Sequence, residues 1–291
     1  MDWISGIQKA VDYVETGITG ELDYEEIARQ AYSSSFHFQR IFSILCGFTL
    51  GDYIRMRRLT LAGSELAAND SRILDIAVKY GYDTQESFSR AFSRFHGVTP
   101  TQARKGATLK SFSRLSVKLI LEGGNVLDYR IETQDALRIV CKRIGLPSRK
   151  ELTFAEISDF WRQCLTDGTI PALCRYLPGD NPFGACILGA SFGGDARDLN
   201  FPYAIGVYYN GEPVREKDFT IEEIPAHTYA VFRCVGSMPE AFNQLYQQIY
   251  REFFPASEYQ PYDAADFEAY PAGNVSNPGY SCEIWVAVEK K

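Results

Sequence analysis

The sequence predicts a two-domain α+β protein: an all-helical first part built as two helix-turn-helix units, followed by an α+β part built as two strand-helix-strand-strand units. Three observations carry this. FQRIFSILCGFT (residues 38–49) returns as FSRAFSRFHGVT (88–99), with six of twelve positions identical at a constant offset of 50. DYRIETQDALRIVCKRIG (128–145) returns as DFTIEEIPAHTYAVFRCVG (218–236) with one inserted residue. Charge is also divided unevenly: residues 1–110 carry 13 Lys/Arg against 13 Asp/Glu, so the overall −7 falls entirely on residues 111–291.

Each copied helix follows a shorter one, marked by Ile27-Ala28 and Ile76-Ala77. Gly81 sits where the chain must reverse tightly, and Asp83 with Glu86 forms a capping-box signature. Phe38, Phe42 and Leu45 in one copy, and Phe88, Phe92 and Phe95 in the other, recur at i, i+4, i+7 and give each helix one buried stripe. The opposite faces carry His37, Gln39 and Arg40, and Gln85, Glu86, Ser89 and Arg90, near the helix N-terminal halves, the part of a recognition helix that reaches base edges. Arg40 and Arg90 are equivalent repeat positions. Between the units, LGDYIRMRRLTLAGSELAAND predicts a helix from about 50 to about 68, on the order of 28 Å long. That is comparable with the ~34 Å between successive major grooves on one face of B-DNA. Its first half carries Arg55, Arg57 and Arg58, and residues 87–110 hold five basic side chains and no acid. Local basic faces of this kind suit phosphate contact despite the acidic total.

The segments IARQAYSSSFHFQRIFSILCGFTLGDYIRMRRL and ILDIAVKYGYDTQESFSRAFSRFHGVTPTQARK resemble the DNA-binding domain of AraC-type transcription regulators, of the MarA/Rob-like kind with two helix-turn-helices on one monomer. The resemblance implies that Phe36, Gln39 and Arg40 contact double-stranded DNA from the first helix, and Gln85, Glu86, Ser87, Arg90 and Arg94 from the second, in two adjacent major grooves. Ala103 departs from the aromatic residue usual after Thr-Pro. Glu86 either accepts from a cytosine N4 amine or caps its helix. His96 reads as packing or phosphate-facing, not catalytic.

GATLKSFSRLS (106–116) is short of large apolar residues, which places a helical domain at 1–106, a linker at 107–114 and a second domain at 115–291. There VKLIL predicts a strand, Glu122 to Asn125 a hairpin turn, and VLDYRIE the return. A helix is expected from about 154, with Thr153 and Glu156 as a capping box and Phe154, Ile157, Trp161 and Leu165 inward. Its counterpart is expected near 238, with Ser237 and Glu240 as the box and Leu245, Ile249 and Phe253 inward. Two strand segments follow each helix: ACILGASF and YAIGVYY, then DFEAYP and SCEIWVAVE. In the last, Cys282, Ile284, Val286 and Val288 form one face, suited to packing against the helices, and Glu283 and Trp285 share the other. An aromatic beside an acid invites a cation, in a region where 18 of the final 91 residues are aromatic.

The segments IGVYY, IPAHTYAVF and EIWVAV resemble GyrI-like effector-binding domains. The resemblance implies that Glu283 lies in a ligand cavity with Trp285, with Glu268 and Tyr280 as further candidates; the alternative for Glu283 is an outward carboxylate on a solvated sheet face. The expected protein is thus a sequence-specific DNA-binding transcription regulator with a small hydrophobic or cationic effector, and RNA polymerase is a candidate further partner. The rival readings are a GyrI-like small-molecule hydrolase or a sequestering protein fused to a DNA-binding domain. No Ser-His-Asp or Cys-His spacing supports nucleophilic catalysis, and seven scattered cysteines with three histidines suggest neither a disulfide framework nor a zinc site. No cofactor is implied. No run of ~18 apolar residues suits a bilayer, and the first residues lack a secretory n-region, so a cytoplasmic location is expected.

Overall fold

The computed structural model describes residues 3–31, 33, 35–116, 126–144, 154–192 and 203–291. The expected VKLIL strand, its turn and the Thr153 cap fall outside these residues.

Among the described residues, the first domain holds seven helices: α1 (Trp3–Thr16), α2 (Tyr24–Gln30), α3 (Ser35–Cys46), α4 (Leu50–Ala68), α5 (Ile73–Lys79), α6 (Gln85–His96) and α7 (Pro100–Arg104). The pairs α2–α3 and α5–α6 are the two helix-turn-helix units. Each has its own core, and α4 contributes to both: Leu50, Tyr53 and Ile54 pack with Phe38 and Phe42, whereas Leu59, Ala62 and Leu66 pack with Phe88 and Phe92. Burial of each such side chain stabilises by roughly 1.5–3 kcal/mol, which fixes both units to one rod. The turn before α6 differs from expectation in one residue. Thr84, not Asp83, is the N-cap, its hydroxyl accepting from the Ser87 amide. Gly81 has φ +82°, a backbone conformation that favours glycine, and an added Cβ would lie 2.5 Å from the Arg58 guanidinium and displace it.

The stretch expected as a linker runs along α4. Leu109 packs on the second unit and Phe112 on the first, where it meets Phe48 and Tyr53 edge-on. Phe112 N–H donates to Thr60 Oγ1 (2.9 Å), and Leu115 N–H donates to the Tyr53 hydroxyl (3.2 Å). His96 resolves to packing: it is 4% exposed, lies beneath Gly63, bonds the Leu59 carbonyl through Nε2, and accepts the Lys110 amide at Nδ1.

The second domain holds β1 (Tyr129–Gln134), β2 (Leu137–Arg143), α8 (Phe154–Thr166), α9 (Thr169–Cys174), β3 (Cys186–Ser191), β4 (Tyr203–Tyr208), β5 (Thr220–Ile224), β6 (His227–Val235), α10 (Glu240–Gln248), a π-turn (Ile249–Phe253), α11 (Phe254–Ala256), β7 (Tyr259–Pro261), β8 (Asp266–Pro271) and β9 (Ser281–Lys290). The strands make one antiparallel sheet in the order β1-β6-β9-β8-β3-β4-β2-β5, with β7 also on β9. This order reads the same from either end once β1, β2, β3 and β4 are exchanged for β5, β6, β8 and β9. The internal repeat is therefore a pseudo-twofold axis between β3 and β8. With Tyr129 aligned on Phe219, the strand registers make Gly189 and Glu268 counterparts, and they sit opposite each other in the β3–β8 pair.

One sheet face is covered by α8 on one side of the axis and α10 on the other. Phe160 and Cys164 of α8 pack on Val140, Tyr203, Ile205 and Val207; Phe242, Leu245 and Tyr246 of α10 pack on Phe232, Cys282, Ile284 and Val286. The expected face of β9 is thus correct. The stripe on α8 is not: Leu165 is exposed and Phe160 and Cys164 take the inward positions, because the helix turns its Ile157, Phe160, Trp161, Cys164 side to the sheet. The cap on α10 also differs, since Pro239 is the N-cap and makes no side-chain cap bond, while the Ser237 carbonyl accepts the Ala241 amide. The other sheet face buries Leu188, Phe267 and Trp285 beneath Phe183. Among the described residues no helix is long and apolar enough to cross a membrane, and no cluster of His, Cys, Asp and Glu is suited to a metal.

Candidate functional site

The two copied helices have opposite fates. On α6, Gln85, Glu86, Arg90 and Arg94 are all exposed, while the Ser87 hydroxyl is drawn into the helix cap with Thr84. This helix offers its N-terminal half to solvent in the manner required for entry into a major groove. Of the arginines on α4, Arg55 is exposed and pairs with Asp52 one turn earlier at 2.6 Å. Arg57 and Arg58 are not surface cations, contrary to expectation. Arg57 grips both oxygens of Glu15 (2.8 Å each) and the Phe112 carbonyl (2.7 Å). Burial would raise the Glu15 carboxyl, but the bonds from Arg57 and Tyr53 hold it below its ordinary value. Arg58 donates to the Ile18 and Gly20 carbonyls at 2.8 and 2.6 Å, satisfying acceptors just past the end of α1. Both lie on the side of α4 that faces α1.

The outward face of α3 is covered by the second domain. Ile41 and Ile44 join the cluster built on α10, the Gln247 amide donates to the Ile44 carbonyl (3.2 Å), and Arg251 donates to the Leu45 carbonyl (2.7 Å). His37 pairs with Asp266 (3.0 Å) and with the Tyr250 hydroxyl (2.7 Å). Gln39 is buried. Phe36 lies on α3.

Arg40 enters the gap between α8 and α10, directly over the axis strands. Its guanidinium pairs with Glu268 on β8 and donates to Ser191 Oγ on β3 at 3.0 Å. The rings of Phe242 and Tyr246 lie 5.1 and 5.0 Å from its central carbon, within cation–π range. The second Glu268 oxygen accepts from Tyr270 (2.9 Å) and Tyr203 (3.3 Å), and the Tyr203 hydroxyl accepts from the Trp161 indole (2.9 Å). Both charged side chains are 7% exposed. Burial works against the Arg40 charge, and the adjacent Glu268 carboxylate overrides it, leaving the guanidinium more firmly protonated than usual. Burial likewise pushes the Tyr203 and Tyr270 hydroxyls up, so they remain donors to the carboxylate. Gly189 makes the room: a Cβ there would collide with the Tyr203 hydroxyl and stand 2.9 Å from the Glu268 carboxylate. One axis strand supplies the acid, and its counterpart supplies the glycine that leaves space for it.

Glu283 and Trp285 share a face, as the alternation requires, but it is the face turned away from α8 and α10. Glu283 is bidentate to Arg130 (2.6 and 3.1 Å) and accepts from the Trp285 indole (3.0 Å), while Arg130 lies 5.3 Å from the Trp285 ring. The cation invited by this pair is the chain's own. Trp285 itself is fully buried under Phe183 and beside Tyr229. Tyr280 belongs to neither arrangement; its hydroxyl donates to the Pro271 carbonyl at 2.8 Å. Sequence reasoning missed Trp161, Tyr203, Tyr246 and Ser191. The signal available was the alternation Asp266, Glu268, Tyr270, which sets two acids and a tyrosine on one side of a short apolar strand.

Two family models match the chain. That of the integron-associated effector binding protein covers residues 130–288, and that of a helix-turn-helix domain covers residues 27–106. The chain is similar to the regulatory protein SoxS of Escherichia coli strain K12, with 39% identity over 98 residues, 34% of this chain and 92% of SoxS. Among solved structures, a bacterial transcription regulation protein from Staphylococcus aureus MU50 has 23% identity and a TM-score of 0.46 over 56% of this chain and 99% of its own. SAV2435 bound to tetraphenylphosphonium has 22% identity and a TM-score of 0.46 over 56% of this chain and 94% of its own. The two family models and the likeness to SoxS define a DNA-binding transcription regulator with an effector-binding domain. The chain belongs to the AraC-type helix-turn-helix regulators and carries a GyrI-like effector-binding domain of the integron-associated family.

Proposed function

We propose that this regulator reads DNA through α6 and α3 and senses a lipophilic cation at Glu268, between α8 and α10. The observation that carries the reading is the buried Glu268 carboxylate, held by Tyr203 and Tyr270 and facing the rings of Phe242 and Tyr246 across the guanidinium, that already pairs with a delocalised cation. Aromatic walls recover apolar area and cation–π attraction from a ligand, and the carboxylate supplies the counter-charge. The exposed Glu283–Arg130 pair offers no such enclosure. RNA polymerase is the further partner expected of a transcription regulator.

Titration of the full-length chain with tetraphenylphosphonium and with neutral triphenylphosphine oxide tests the assignment. Glu268→Gln keeps the shape and removes the charge, so the cation should lose about tenfold or more in affinity while the neutral ligand changes little. Glu283→Gln should alter neither. Loss of cation binding in Glu283→Gln alone would move the site to the opposite sheet face.

A further inference from the structure

The occupant of the Glu268 site is a residue of the reading helix. We infer that Arg40 is a built-in competitor for the effector: the Glu268 pocket holds either Arg40 or a lipophilic cation, and entry of the cation frees α3 to read DNA. The inference rests on the cation reading of that pocket and goes beyond it by assigning the coupling between the two domains.

Four observations support it. First, Arg40 occupies the repeat position of Arg90, and the identical residue is exposed on α6 and 8% exposed on α3. Second, what Arg40 presents to the pocket is chemically what an effector of this class presents, a delocalised positive charge between two rings and against one carboxylate. Third, the docked and DNA-reading arrangements exclude each other. His37, Arg40, Ile41 and Ile44 all contact the second domain, so the face that would enter a major groove is covered. Fourth, the contact has the character of a separable interface. Arg40 Nε and Gln39 Oε1 are buried without a hydrogen-bond partner among the described residues. A cleft of about 330 Å³ lies along the seam between Ile7 and Phe38 on one side and Tyr250 and Tyr262 on the other. A buried ion pair gives back in attraction little more than its desolvation costs, so closure by such a pair is readily reversed.

The thermodynamics follow from linkage. A ligand shifts a two-state equilibrium only by its preference for one state, and here the cation and the DNA half-site read by α3 both require the undocked state. Each therefore raises the affinity of the other by the same factor. The half-site read by α6 is indifferent to the exchange.

The test is tetraphenylphosphonium binding to the full chain in three forms: wild type, Arg40→Ala, and Gln247→Ala with Arg251→Ala. The last pair loosens the α3 C-terminus from α10 and the π-turn without touching the pocket or the reading face, and serves if Arg40→Ala folds poorly. Removing the competitor, or loosening the helix that carries it, should raise cation affinity by about fivefold or more. Equal affinity in wild type and variants overturns the inference while leaving the cation site intact. Binding to none of the three overturns the cation site itself, and the inference with it.

Discussion

Helices α3 and α6 are two copies of one sequence design with opposite environments. Both bury a Phe stripe against α4 and both turn an arginine outward, yet outward means solvent for Arg90 and the second domain's core for Arg40. The difference teaches that a repeat specifies the inner face of a helix far more tightly than the fate of its outer face. The inner face must fit a neighbour that is present in every state of the molecule. The outer face of α3 suits two partners, a nucleic acid and an acidic aromatic pocket, because both recognise a planar cation.

The most severe way to break the comparison is to unseat the first unit. Arg57→Ala leaves the Glu15 carboxylate with its Tyr53 bond but without its ion-pair partner, and the Phe112 carbonyl without its donor, and should cost on the order of 3 kcal/mol of helical-domain stability, read by chemical denaturation. Arg55→Ala, on the same helix, should cost almost none.

Less severe is removal of the reading side chains. Arg90→Ala should lower DNA affinity by ~1–3 kcal/mol and relax base preference in one half-site, with or without a cationic effector. Arg40→Ala should relax the other half-site, about one helical turn away, and its effect should be evident chiefly when the cation is present. Selection from random duplexes with and without tetraphenylphosphonium measures both.

Acid should separate the units further. His96 in the second unit stands at the repeat position of Cys46 in the first. Burial holds the His96 imidazole below its ordinary value of 6.5. The unfolded chain therefore takes up the proton first, and the stabilisation present above about pH 6.5 is lost as pH falls through the lower folded value. Hydrogen exchange should show α6 amides losing protection on acidification before those of the first unit. The smallest effect concerns salt: Arg55→Ala should reduce the slope of log K against log[salt] by about one if Arg55 meets a phosphate.

Much of this architecture was legible in the sequence. The 50-residue repeat gave the two units, the α4 boundaries matched the expected 50–68 helix, and the strand repeat became the palindromic sheet order. The site was legible only in part. Strand alternation placed Glu283 and Trp285 together on the face away from the helices, but it did not show that the enclosed acid lies on the helix side, where it is Glu268 on the neighbouring strand. Arg57 and Arg58 appeared as a basic run because helix periodicity does not reveal that α1 passes beside them. The docking of Arg40 was not legible at all, since it joins residues from separate domains and depends on the shape left by Gly189.

The exchange of Arg40 for an effector is tested most directly by the affinity lost on scrambling the α3 half-site, measured by titration of the full-length chain with and without tetraphenylphosphonium. A small loss without the cation and a loss at least about fivefold larger with it is the expected result. An equal loss in both conditions would mean that α3 reads DNA regardless of what fills the Glu268 pocket, and would contradict the coupling.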